Sequence, residues 1–309
     1  MVKHELAKSG EIQWVDRIRR LAGNAPGMEL GIGDDCAIFR PRGSPEDLLF
    51  TTDLLIEGTH FRRETHSAED AGWKTLARGL SDIAAMGGAP RFCLVSLALA
   101  PWTDTRWLDG FYRGLLRLAR RTRTVLAGGD IGRGRVFTCD IVVCGTVPRG
   151  QALRRGGARA GDAIYVSGAL GGSALGLARG TGKGWKRHVR PEPRLALGRF
   201  LRRRATAAMD LSDGLSLDLR RLCLASRLSA RIEPPPVFPG ATLAQALHGG
   251  EDYELLFTAP PRVRMPRACE GVPLTRIGTM SRGRPGAVTL NDESLPPLGY
   301  DHLKLIANR

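Results

Sequence analysis

Short apolar runs alternate along most of the chain with stretches in which apolar residues recur every three or four positions. The runs predict strands and the recurring patterns predict helices, so their alternation predicts an α/β fold. Strands are expected at 48–52, 93–98, 124–127, 136–147, 163–166, 205–209 and 253–258. Helices are expected at 11–21, 68–86, 107–121, 173–178, 194–203 and 213–226. The proline-rich segment 233–240 predicts an extended loop.

The strand pattern stops at the turn residues of 147–150, and a new strand–glycine–helix unit begins soon afterwards. A length of 309 residues is enough for two domains of about 150 residues, each able to bury a core. We therefore expect one domain at 1–148 and a second at 149–309.

The composition excludes several classes of protein. The longest apolar stretch, 92–100, is well short of the roughly 20 residues of a membrane helix, and the first residues lack the apolar segment of a signal peptide. We therefore expect a cytoplasmic protein with no membrane partner. The cysteines form no CxxC pair, which predicts free thiols in a reducing compartment. They are Cys36, Cys93, Cys139, Cys144, Cys223 and Cys269.

The charge balance is strongly basic, with 46 Lys and Arg against 31 Asp and Glu, a net charge of +15. Such an excess is one sign of a nucleic-acid partner. However, the basic residues are scattered, almost all are arginine, and none alternates with aromatic residues as in a stacking platform. General arginine usage explains the excess more simply, so we expect no specific nucleic-acid partner.

Acidic residues follow strands or turns at four places, three of which contain glycine. These are Gly31-Ile32-Gly33-Asp34-Asp35, Thr51-Thr52-Asp53 after an apolar strand, Gly128-Gly129-Asp130, and Asp210-Leu211-Ser212-Asp213-Gly214. A single Asp at such a place is more often a helix cap or a turn residue. Four together favour a site beyond the carboxyl ends of strands, where open α/β sheets bind ligands. Oxygen ligands without nearby His or Cys fit Mg²⁺, so the pattern predicts a Mg²⁺-phosphate site.

Asp82 lies off the apolar stripe of the helix predicted at 68–86, with Arg78 four residues before it. An exposed ion pair and a site residue are equally compatible with that position. Two glycine-rich segments fail as phosphate loops, because Gly184 replaces the required Ser or Thr of a P-loop and 168–172 is not GxGxxG. Any nucleotide site therefore has another architecture.

Seven motifs, taken in order, resemble those of the thiamine-monophosphate kinase family, within the aminoimidazole-ribonucleotide synthetase-like superfamily. The motifs are GIGDDCA at 31–37, TTDLLIEGTHF at 51–61, KTLARGLSDIAAMGGAP at 74–90, AGGDIGRG at 127–134, RPEPR at 190–194, MDLSDGL at 209–215 and HGGEDYELLFT at 248–258. The resemblance implies ATP-dependent phosphorylation of thiamine monophosphate to thiamine diphosphate, with several Mg²⁺ ions and ATP as co-substrate. It also implies an N-terminal domain that binds ATP and Mg²⁺ and pairs its mixed sheet across a homodimer, followed by a C-terminal α/β domain.

The resemblance also implies roles for individual residues. Metal ligands are expected at Asp34, Thr51, Thr52, Asp53, Asp82, Asp130, Asp210 and Asp213. ATP-binding residues are expected at Gly129, Asp130, Arg154 and Ser212. Substrate-binding residues are expected at His60, Glu251 and Tyr300. In this assignment Glu251 faces the thiazolium cation.

The expected chemistry needs no general base. The acceptor is a phosphate with a second pKa near 6, so it is mostly ionised at neutral pH and already nucleophilic. The main task is to bring two anionic phosphates together, which metal ions and the charge of Arg154 would achieve. Two alternatives remain at this point. One is another ATP-using member of the superfamily acting on an amide or a selenide, and the other is a non-catalytic nucleotide- or RNA-binding module.

Overall fold

The first half of the chain forms a mixed six-stranded sheet with three helices. The computed structural model describes residues 10–23 and 25–303. The strands are β1 (Met28–Leu30), β2 (Ala37–Phe39), β3 (Glu46–Ile56), β4 (Ala89–Leu99), β5 (Val125–Arg133) and β6 (Thr138–Pro148), in the order β1-β2-β3-β6-β4-β5. The helices are α1 (Glu11–Leu21), α2 (Ala68–Ala85) and α3 (Thr105–Thr122). All neighbouring strands are antiparallel except β4 and β5, which are parallel.

The second half forms a separate, largely antiparallel sheet. Its strands are β7 (Ala163–Ser167), β8 (Ala207–Asp210), β9 (Ser229–Ile232), β10 (Leu255–Ala259), β11 (Ala268–Cys269), β12 (Val272–Ser281), β13 (Val288–Leu290) and β14 (Glu293–Ser294). The main order is β14-β13-β9-β12-β7-β10-β8, and β11 pairs with β12. The helices are α4 (Gly172–Arg179), α5 (Gly182–Val189), α6 (Leu195–Leu201), α7 (Leu215–Ser226) and α8 (Leu243–His248), and a short 3-10 turn spans Arg155–Gly157.

Helix α2 is buried on nearly all sides because it packs between the two halves. It contacts β3, β6 and α3 of the first half and β8, α5 and α6 of the second. A Cβ at Gly72 of α2 would lie 1.8 Å from the carbonyl oxygen of Phe111 in α3, so only glycine permits this close approach. Fourteen of its 18 residues are buried, including the charged Lys74 and Arg78. Buried charges in such a position need partners.

The RPEPR motif at 190–194 links the second half to helices α2 and α3. Arg190 donates to Asp70 at 2.5 Å, and the indole of Trp73 donates to the carbonyl oxygen of Pro191 at 2.9 Å. Glu192 accepts from Arg121 of α3. The polar contacts of this motif therefore connect the two halves of the chain.

The α/β prediction is confirmed, and every predicted helix and strand overlaps an observed one. The segment 233–240 lacks helix, as predicted. Prediction missed the short strands β1, β2, β9, β11, β13 and β14, the ten-residue β12, and helices α5 and α8. The two sheets lie on opposite sides of the predicted boundary at 148, but the division into two domains stays a prediction.

The described residues contain no helix long and apolar enough to cross a membrane. The cysteines are unpaired and buried except for Cys269, which is half-buried. At one edge of the first sheet, β5 exposes most of its residues, and the side chains of Val125 and Ile131 are 62% and 59% exposed.

Candidate functional site

A cleft of about 1690 Å³ lies between the two halves of the chain. Its walls come from α1, the loop after β1, β3, α2, the 3-10 turn, and the loops at 212–213 and 248–251. The segment 298–302 closes one side. Polar side chains from segments far apart in sequence therefore face one shared space.

Three carboxylates meet in this cleft, namely Asp35, Asp82 and Asp210. One oxygen atom from each lies within 4.8 Å of the others. Asp35 comes from the turn after β1, Asp82 from α2 and Asp210 from the last position of β8, so the cluster joins both halves. Thr51 donates a hydrogen bond to Asp82, and Ser81 donates to Asp210 at 2.7 Å. The exposed Arg78–Asp82 pair considered from the sequence does not form, because Arg78 pairs with Asp53 instead.

The cluster is electrostatically unfavourable without a cation. Burial raises the pKa of Asp82 well above its ordinary value, and repulsion from Asp210, Asp53 and Asp35 raises it further. Burial likewise raises the pKa of Asp210, with Asp35 the strongest repelling neighbour. Three hard oxygen donors so close together are the set that Mg²⁺ prefers, and a divalent cation would relieve their repulsion. The residues present therefore fit a magnesium ion.

Arg155 is the cation that contacts the first pair of acids. Its guanidinium binds Asp35, and its backbone N–H donates to Asp34 at 3.1 Å. Burial, followed by the charge of Asp35, raises the pKa of Asp34 to about 7. The resemblance implies an ATP-binding role for Arg154; the side chain that lines the cleft here is that of the next residue, Arg155.

Thr51 and Asp53 lie on one face of β3 and Thr52 lies on the other, because successive side chains of a pleated strand point to opposite faces. Thr51 is buried and faces α2, whereas Thr52 is exposed and donates to Asp140 at 2.6 Å. Asp53 pairs with Arg78 at 2.9 Å, and Arg78 also donates to the carbonyl of Leu54 at 2.5 Å. All three predicted β3 residues line the cleft.

A second acidic group lies at the start of α7. Asp213 binds Arg221, and Asp218 lies 3.1 Å from the same guanidinium. Asp218 is fully buried and accepts from the backbone N–H groups of Asp213 and Gly214. Asp213 is therefore already paired with a cation, while the neighbouring Ser212 lines the cleft.

The expected substrate residues lie together on another wall. His60 is 8% exposed, and its Nδ1 accepts from the backbone N–H of Ile56 at 3.0 Å. Burial, aided by the positive charge of Arg78, lowers the pKa of His60 to about 3, so the imidazole is neutral. Tyr300 is 41% exposed, and its ring lies 4.8 Å from that of His302, which in turn lies 5.2 Å from His60. Glu251 pairs with Lys74 at 3.0 Å.

Three of the expected residues lie outside the cleft as this chain forms it. Gly129 and Asp130 are exposed on the edge strand β5, and Arg154 is half-buried beside the 3-10 turn. Packing within the sheet explains Gly129, because a Cβ there would lie 1.8 Å from the carbonyl oxygen of Val95 on β4. The roles expected for these three residues stay predictions.

Sequence reasoning missed several residues that build the cleft. Asp35 was seen as one of two adjacent acids, but only Asp34 was assigned as a ligand. Arg155 and Asp218 were not singled out, and Lys74 appeared only as part of a motif. The available signal was weak, since adjacent Asp-Asp and Arg-Arg pairs do not reveal which member points inward.

Comparisons with known proteins assign the family. The model of the AIR synthase related protein N-terminal domain matches residues 33–147. A thiamine-monophosphate kinase of Escherichia coli O157:H7 is 39% identical over 318 residues, covering 94% of this chain and 96% of that protein. This chain belongs to the thiamine-monophosphate kinase family.

Solved structures of the family agree with the fold. The structure of AaThiL complexed with AMPPCP and TMP has a TM-score of 0.84 and 30% identity, covering 95% of this chain and 97% of that one. A thiamine-monophosphate kinase from Stenotrophomonas maltophilia K279a has a TM-score of 0.76 and 38% identity, covering 90% of this chain and 96% of that one. The resemblance inferred from seven short motifs is therefore confirmed along nearly the whole chain.

Proposed function

We propose that this protein transfers the terminal phosphoryl group of ATP to thiamine monophosphate, forming thiamine diphosphate and ADP. The observation that carries the proposal is the cluster of Asp35, Asp82 and Asp210 in a large cleft, in a chain that belongs to this kinase family. AaThiL is similar over nearly the whole chain and has been solved with AMPPCP and TMP. A cleft able to hold both substrates fits direct in-line transfer.

We further propose that several Mg²⁺ ions bind in the cleft. Asp35, Asp82 and Asp210 would hold one ion, and Asp34, Asp53 and Asp213 line the same space. Bound Mg²⁺ would neutralise phosphate charge and orient the phosphoryl group. Thr51 and Ser81 hold two of the ligands through their hydroxyls, so the carboxylates are oriented by the protein itself.

No residue is assigned as a general base, because the acceptor phosphate is already ionised at neutral pH. The neutral imidazole of His60 is a hydrogen-bonding group at the proposed acceptor wall rather than a charged one. The guanidinium of Arg155 pairs with Asp34 and Asp35. The protein thus contributes mainly positioning and charge, as expected for phosphoryl transfer.

A homodimer formed through the exposed edge strand β5 would bury its apolar side chains and bring Gly129 and Asp130 to an interface. In that case Asp130 and Arg154 would contribute to nucleotide binding within the dimer. The domain at 1–148 would then bind ATP and Mg²⁺ and dimerise. The unpaired cysteines are compatible with the cytoplasm as its location.

The deciding experiment incubates the purified protein with Mg-ATP and thiamine monophosphate, with thiamine as the parallel acceptor. We expect thiamine diphosphate from the monophosphate only, with an equal amount of ADP. ATP consumption with an amide or selenide acceptor instead would favour another superfamily activity. Salt-dependent RNA binding without ADP release would favour the binding module.

A further inference from the structure

An ion pair between a buried lysine and a half-buried glutamate joins the two halves of the chain at the proposed acceptor wall. Lys74 of α2 is fully buried, and its ammonium lies 3.0 Å from each carboxylate oxygen of Glu251. The same ammonium donates to the carbonyl oxygen of His60 at 3.0 Å. Lys74 therefore binds two of the expected substrate residues, His60 and Glu251.

The loop that carries Glu251 has an unusual backbone that needs support. Glu251 has a φ of 63° and Tyr253 a φ of 50°, a region that non-glycine residues rarely occupy. The backbone N–H of Glu251 donates to the carbonyl of Ser212 at 2.7 Å, so this loop is tied to the segment that follows Asp210. Unusual conformations of this kind persist only where the surrounding contacts fix them.

The charge of Glu251 is already compensated inside the protein. Burial alone would raise its pKa, but Lys74, with smaller effects of His188 and Arg78, lowers it to about 2. His188 approaches the carboxylate at 3.3 Å. A carboxylate held by a buried ammonium on both oxygens offers little further charge to a substrate cation.

We propose that Lys74 is a positioning residue for the acceptor, which fixes His60 through its carbonyl and Glu251 through its carboxylate. The inference rests on the proposed function. It gives Glu251 a different role from that of a counter-ion to the thiazolium ring, because the main partner of its carboxylate is Lys74. A positioning role predicts that the effects of removing the two charges do not multiply, whereas independent roles predict that they do.

The test is a double-variant cycle of Lys74→Met, Glu251→Gln and the double variant, with Lys186→Met as the matched control. Lys186 is exposed on α5 and forms no ion pair within the described part of the chain. Removing either partner of a buried pair leaves the other uncompensated, whereas removing both does not. We expect each single variant to raise the KM for thiamine monophosphate about tenfold, with the KM for ATP changed less than about twofold. We expect the double variant to be no worse than Lys74→Met.

Several outcomes would overturn the inference. If the two single effects multiply in the double variant, to about a hundredfold, Lys74 and Glu251 act independently. A lower melting temperature with an unchanged KM for thiamine monophosphate would show that the pair supports only the fold. Equal changes in both KM values would show that the effect is not specific to the acceptor.

The proposed function and the positioning role of Lys74 are tested by separate measurements. Turnover by the unmodified protein decides the proposed function before any variant is made. If Lys74→Met does not fold, Glu251→Gln still tests the inference, because it removes the charge that compensates the buried ammonium of Lys74. An unchanged KM for thiamine monophosphate in that variant would contradict the positioning role.

Discussion

Replacing Asp82 with Asn should stabilise the metal-free protein while abolishing activity. Among the described residues, Asp82 pairs with no cation. One of its carboxylate oxygens lies within 4.8 Å of a carboxylate oxygen of Asp35 and of one of Asp210. Two unit charges at that separation repel by about 3.5 kcal/mol at an effective dielectric constant of about 20. The raised pKa of Asp82 means that part of this repulsion is already avoided by protonation. We therefore expect a gain of about 1–3 kcal/mol in the free energy of unfolding.

Chemical denaturation with EDTA and with Mg²⁺ measures both effects. For the unmodified protein, Mg²⁺ at about 100 times its Kd should add about 2.7 kcal/mol to the free energy of unfolding, and Asp82→Asn should lose most of that gain. Turnover should fall at least about a hundredfold, since a metal ligand is lost. Asp109→Asn, an exposed position on α3, is the control.

Two results would refute this reasoning. A variant that is less stable than the unmodified protein in EDTA would show that the three carboxylates do not repel one another as their positions indicate. A variant that keeps both its turnover and its stabilisation by Mg²⁺ would show that Asp82 does not hold the ion. Either result would remove the main argument for the metal site.

Two further predictions concern stability. Burial lowers the pKa of His66 to about 4, so the unfolded chain binds a proton there first, and this group alone should lower the free energy of unfolding by up to about 2 kcal/mol between pH 7 and pH 5. Denaturation at the two pH values should show a smaller loss of stability for His66→Gln than for the unmodified protein, and an equal loss in the two would contradict this. On β5, Gly129→Ala would place a Cβ 1.8 Å from the carbonyl of Val95 and should cost roughly 1–3 kcal/mol. Thermal unfolding checks this, with Gly132→Ala as the control, because the nearest atom to a Cβ at Gly132 is 3.9 Å away. Equal melting temperatures for the two variants would contradict the close approach at Gly129.

The fold could be predicted from the sequence wherever elements are long and periodic. α2 and α3 were placed within a few residues because their buried faces repeat over 18 residues each. The strands β13 and β14 span only three and two residues, which is too short for any period to be visible. The ten-residue β12 was missed for a different reason, because its polar and apolar positions do not alternate regularly.

The sequence predicted which segments of the chain form the site. It did not predict which side chains within those segments contact one another. The motifs indicated which loops carry acids, and Asp82 and Asp210 do meet in one cluster. The choice between Asp34 and Asp35, or between Arg154 and Arg155, depends on the direction in which each side chain leaves an irregular loop. No hydrophobic pattern specifies that direction, so the sequence could not distinguish the two members of each pair.

Helix α2 explains why the charged residues of the cleft are arranged as they are. Lys74, Arg78 and Asp82 are spaced four residues apart, so they project from one face of the helix. Along that face they contact Glu251, Asp53 and the carboxylate cluster in turn. Lys74 therefore lies at the proposed acceptor wall, Asp82 lies at the proposed metal site, and Arg78 lies between them on the helix. Because the helix packs against both halves, its rigidity fixes the distance between these two places, which in-line transfer between two bound substrates requires.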